Sequence, residues 1–69
     1  MSITDAKKLL YSELRQYPEV TGAGIQEKNG REYIVVFLTK MNNNLKGLIP
    51  KTFKGNAVKT EIRSVAKSL

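Results

Sequence analysis

Apolar residues recur along this chain with two different periods, and the change from one to the other marks the elements. Ile3, Ala6, Leu10, Leu14 and Tyr17 follow one another at steps of three and four residues, the spacing that places side chains on one face of a helix. Lys7, Lys8, Glu13, Arg15 and Gln16 fall mostly elsewhere. Ser2, with Asp5 three residues later, has the spacing of an approximate capping box, in which the serine satisfies free amides of the first turn. Pro18 disfavours helical geometry at the residue before it, so the helix is expected to cover residues 3–17.

From Val20 the period shortens to two. Val20 to Gln26 reads as a strand in which Gly22 and Gly24, at alternate positions, leave one face bare for the approach of another backbone or a packed helix. Asn29-Gly30 is the preferred pair for a two-residue hairpin turn, because both central residues need positive φ. Arg31 to Thr39 returns as a second strand, dense in β-branched and aromatic residues. Its two faces are both apolar: Tyr33, Val35 and Phe37 point one way, and Ile34, Val36 and Leu38 the other. One helix covers only one of them. The segment holding Leu45, Leu48, Ile49 and Phe53 is the candidate cover for the second face, with a short helical turn expected to begin near Pro50. Failing that, a second copy or another protein must supply the cover.

Lys54-Gly55-Asn56 reads as a turn, and Ala57 to Val65 then alternates, with Val58, Thr60 and Ile62 inward and Lys59, Glu61 and Arg63 outward. The expected fold is a two-layer α+β domain over residues 1–69. Its N-terminal helix packs on a small antiparallel sheet of about three strands, in the order α-β-β-loop-β. Leu10, Leu14, Val35, Phe37 and Ile62 are the expected core.

Composition removes whole classes of chemistry. A chain of 69 residues buries only about 60% of its unfolded surface, so the core is thin. With no cysteine and no histidine, disulfides, Cys/His zinc sites and a Ser-His-Asp triad are all excluded. The six carboxylates show neither paired spacing nor a calcium-loop pattern. Gly22-Ala23-Gly24 lacks the flanking residues of a phosphate loop and leads into a strand rather than a helix. The expectation is therefore a protein that is not an enzyme, with no cofactor and no metal site. The longest strongly apolar run, Ile34 to Leu38, is five residues, far below the roughly 20 of a membrane helix. The first residues lack the pattern of a signal peptide. A cytoplasmic location, with no membrane association, is expected.

Charge is distributed unevenly. The formal net charge is +6, and residues 1–39 carry five basic and five acidic groups. Residues 40–69 carry seven basic groups against Glu61 alone. Lys51, Lys54, Lys59 and Arg63 are the candidate anion-binding residues: Lys51 and Lys54 flank Phe53, and Lys59 and Arg63 share the polar face of the third strand. Cations beside an exposed aromatic can hold single strands through phosphate contact and stacking. The alternative is a solvated lysine surface that maintains solubility.

Val20-Thr21-Gly22-Ala23-Gly24-Ile25, Gly30, Ile34-Val35-Val36-Phe37, Ile49-Pro50, Gly55 and Val58 together resemble a small bacterial module found alone or ahead of trypsin-like peptidase domains. The resemblance covers residues 20–58 and rests on turn and core positions. It implies an α+β fold and an accessory role, and transfers no proteolytic residue. Two functional classes follow. One is a small interaction or accessory domain, acting through a protein partner or as a homodimer. The other is binding of nucleic acid or another polyanion by the basic C-terminal half.

Overall fold

Ser2 starts the first helix as its spacing predicts: its Oγ accepts from the amide of Asp5 at 3.2 Å, and α1 runs over Ile3–Leu14. The computed structural model describes residues 1–63. The helix ends at Leu14, short of the expected Tyr17. The amide of Tyr17 donates back to the carbonyl of Leu14, and that of Val20 to Tyr17. These tight turns carry the chain past Pro18 and bring Tyr17 against the edge of the core.

Strands β1 (Val20–Lys28) and β2 (Arg31–Leu38) pair antiparallel about Asn29-Gly30. That pair has φ of 54 and 78 degrees, the left-handed values a two-residue hairpin requires. One irregularity interrupts the ladder. Val20 pairs with Leu38 and Gly22 with Phe37, so Thr21 is the extra residue of a β-bulge. The bulge shifts the phase of β1, placing Val20 on the core side while Gly22 and Gly24 face away. The Thr21 hydroxyl donates to the carbonyl of Phe37 at 3.2 Å.

The segment expected to be a loop forms a short helix, α2 (Asn43–Leu48), and a two-residue strand, β3 (Thr52–Phe53). Asn42 caps α2 by accepting from the amide of Leu45 at 2.8 Å. The helix precedes Pro50 instead of starting at it. Ile49, held extended before the proline, ends it. The last strand, β4 (Asn56–Ile62), follows a second two-residue turn in which Lys54 and Gly55 have φ of 52 and 80 degrees. The side-chain amide of Asn56 braces it, Nδ2 donating to the carbonyls of Phe53 and Lys54. The expected continuation of this strand to Val65 lies outside the described residues.

The sheet order is β1-β2-β4-β3, and β4 runs parallel to β2. The expectation of an antiparallel sheet of about three strands is thus corrected to a mixed sheet of four. Alternation along β4 reports its faces but not its direction. The direction comes from residues 39–55, long enough for the crossover that parallel strands need.

That crossover places both helices on one side. The core joins Ala6, Leu10 and Leu14 of α1 to Ile34, Val36 and Leu38 of β2, with Val20, Leu45 and Val58. Ile49 and Phe53 pack against its margin. The segment expected to cover the second face of β2 therefore covers the first, and Leu48 is exposed. Of the expected core, Leu10, Leu14 and Val35 are buried, whereas Phe37 is half-buried and Ile62 is 51% exposed. Ile62 pairs with Leu38 and so has the core-side phase. However, α1 packs chiefly over β1 and β2, and half of the Ile62 side chain is left in water. Among the described residues, no helix is long and apolar enough to cross a membrane.

Leu14→Ala should lower the unfolding free energy by about 2–5 kcal/mol, as expected for truncation inside a closed core. Ile62→Ala should cost about 1 kcal/mol or less, because half of that side chain is already in water. Urea midpoints of the two variants test this, and equal losses would contradict the cover described for β4.

Candidate binding face

The face of the sheet opposite the helices is assembled by register. Gly22, Gly24, Gln26 and Lys28 of β1 stand opposite Phe37, Val35, Tyr33 and Arg31 of β2. On the other side of β2, Val35 and Phe37 pair with Lys59 and Glu61 of β4. Arg63 follows at the next position of the same phase.

Two rings dominate this face, and each is capped by a cation. The ammonium of Lys59 sits 5.0 Å from the centroid of Tyr33, and the guanidinium of Arg63 sits 4.3 Å from that of Phe37. Such pairs contribute about 0.5–1 kcal/mol at exposed sites. The hydroxyl of Tyr33 donates to Gln26 Oε1 at 3.0 Å, and Arg63 Nε donates to Glu61 Oε2 at 3.2 Å. The second contact is an exposed ion pair of small energetic weight. Val35 is only 3% exposed yet lies outside the helix-side core. Its shielding therefore comes from the side chains of its own face.

The glycines fix the position of the Phe37 ring. A Cβ on Gly24 would come within 3.3 Å of Phe37 Cε2, and one on Gly22 within 3.7 Å of Cδ2. The ring thus lies across β1 on a strip of bare backbone, the use of alternate glycines that the sequence suggested.

Charge is sorted between the faces at the hairpin tip. Lys28 pairs with Arg31 on the open face, while Glu27 pairs with Glu32 on the helix side. Like charges directly opposite each other are unfavourable, and here two such pairs stand side by side. The open face consequently carries Lys28, Arg31, Lys59 and Arg63 against the single carboxylate of Glu61. Beside its hairpin end a concavity of about 900 Å³ opens between the hairpin tip and the β3–β4 turn, lined by Lys28, Arg31, Tyr33 and Lys59 of the open face and by Ile3 and Glu32 of the helix side.

Of the four anion-binding candidates, Lys59 and Arg63 come together on this face. Lys54 lies instead over Phe53, 5.7 Å from its centroid, and Phe53 packs against the margin of the helix-side core. Lys51, whose carbonyl accepts from the amide of Val58, stands out of phase with Lys59. The two share only a shallow groove of about 420 Å³ along the free edge of β4. The four do not form one continuous surface. The residues that join Lys59 and Arg63 are Lys28 and Arg31, from the half of the chain that is neutral overall. Their position beside the Asn29-Gly30 turn was the signal that could have found them. Among the described residues, no three carboxylates come together in a group able to hold a metal ion.

Comparison with known proteins yields no match, whether with protein-family models, with curated proteins or with solved structures.

The placement of the Phe37 ring is directly measurable. The Hα resonances of Gly22 and Gly24 should be displaced by the ring current and should return toward ordinary strand values in Phe37→Leu, which keeps an apolar side chain there. Unchanged glycine Hα shifts would contradict the packing of the ring across β1.

Proposed function

We propose that this chain is a non-enzymatic interaction domain and that the open face of its sheet is the binding surface. One observation carries the reading: α1 and α2 both pack on the same side of β2, leaving Tyr33, Val35 and Phe37 without a second layer. An exposed face that combines aromatic and cationic side chains has the make-up of an interface centre, where aromatic residues and arginine are enriched. The rings are anchored on a rigid central strand, so little conformational freedom is lost there on binding. The accessory role implied by the resemblance to the module found beside peptidase domains fits the same surface. The absence of histidine and cysteine removes the Ser–His and Cys–His pairs that most often signal nucleophilic catalysis.

A photo-crosslinking residue at Gln26, on the open face, should give adducts in the cell that makes the protein. The same residue at Lys8, on the exposed surface of α1, should give none. Adducts from both positions alike, or from Lys8 alone, would move the interaction surface off the sheet.

A further inference from the structure

We propose that the open face binds single-stranded nucleic acid, with Tyr33 and Phe37 as stacking platforms and Lys28, Arg31, Lys59 and Arg63 as phosphate contacts. The inference rests on the reading of that face as a binding surface and names what it binds.

Four features favour this occupant. The first is charge: four cations meet one carboxylate on this face, and that carboxylate is already paired with Arg63. A second copy applied face to face would set these cations against their equals, whereas an anionic chain neutralises them. The second is the hairpin tip, where Lys28 and Arg31 are held opposite each other at a cost in repulsion. A phosphate between them removes that cost, and the adjoining concavity, which Lys59 also lines, gives it room.

The third feature is the spacing and setting of the rings. Tyr33 and Phe37 lie four residues apart on one strand, about 13 Å at the usual strand rise, and the glycines of β1 keep large side chains away from Phe37. Bases have two π-faces and stack on such rings without regard to sequence. The fourth is the pairing of each ring with a cation. Lys59 and Arg63 now occupy the ring faces. A base can displace the lysine toward a phosphate, or stack on the guanidinium plane that already covers Phe37. Each cation keeps a role after the exchange. An intact duplex offers no unstacked bases to these rings, so single strands should be preferred.

The test is fluorescence anisotropy of labelled mixed-sequence single-stranded DNA and RNA 12-mers with the full chain, in parallel with a 12-bp duplex and polyglutamate. Single strands should bind more tightly than either competitor. The affinity should fall with salt at a log–log slope of about −3, the value for four phosphate contacts on a single strand. Tyr33→Leu and Phe37→Leu should each weaken binding roughly 5- to 150-fold, the range of a lost base–aromatic stack, with the slope retained. Lys59→Glu with Arg63→Glu should abolish binding, and Lys28→Gln with Arg31→Gln should reduce both affinity and slope. Lys51→Glu with Lys54→Glu should retain most of the affinity, and amide spectra should show each variant folded. No binding at 50 mM salt, equal binding of the duplex or of polyglutamate, or equal damage from the Lys51/Lys54 pair would overturn the proposal. Nuclease-resistant protein adducts at Gln26 alongside such a failure would leave the binding face standing and replace its occupant with a protein. Absence of adducts at Gln26 would remove both.

Discussion

A strand that is apolar on both faces, in a chain with helix enough for only one, governs this structure. Ile34, Val36 and Leu38 take the helices, and the thin core of a domain this small is spent almost entirely on that side. α2 adds Leu45 to the layer begun by α1 and supplies no second one. Tyr33, Val35 and Phe37 are left to be shielded by what β1 and β4 can reach across with. On β1 that is the glycine backbone beneath the Phe37 ring. On the other side it is the long side chains of Lys59 on β4 and of Arg63 just after it, whose aliphatic stems can lie along apolar surface while their charges stay in water.

The parallel placement of β4 makes this arrangement possible. Running beside β2 in the same direction, β4 brings Lys59 level with Val35 and Glu61 level with Phe37. The crossover that delivers it carries α2 over the helix side. One connection therefore completes the core on one face and sets the cations on the other. The hairpin tip adds Lys28 and Arg31 to the same face and sends Glu27 and Glu32 away from it. Cross-strand attraction would be served by exchanging one member of each pair. A local arrangement that opposes stability and concentrates one sign of charge beside two rings is where a functional surface is expected.

Much of this was legible in the residues themselves. The Ser2 cap, the Asn29-Gly30 turn and the two-sided character of β2 are local features, and local features survive folding. The bulge at Thr21 was not legible, because it depends on how Val20 meets Leu38 across the hairpin. Neither was the direction of β4, since Val58, Thr60 and Ile62 alternate identically whichever way the strand runs. Ile62 has the phase of a core residue yet stays exposed, because phase sets the side a residue faces and not whether a helix reaches over it. For the binding face, the alternation of one strand shows Lys59 and Arg63 as partners, whereas Lys51 and Lys54 join them in the sequence by flanking Phe53, a ring that the fold turns toward the helix-side core. Lys28 and Arg31 are hidden in the linear sequence because the acidic neighbours Glu27 and Glu32 neutralise them along the chain. Only the alternation of the strands separates the two signs.

A binding role for the sheet requires that its second face be exposed in the free protein. Solvent paramagnetic relaxation by an inert gadolinium chelate, measured on ring and methyl protons at micromolar protein concentration, tests it most directly. The ring protons of Tyr33 and Phe37 should relax strongly, while the methyls of Ile34, Leu38 and Leu45 should stay protected by the helices. Rings as protected as Leu38 would mean that the face is already covered, and would contradict the open sheet on which the proposed function depends.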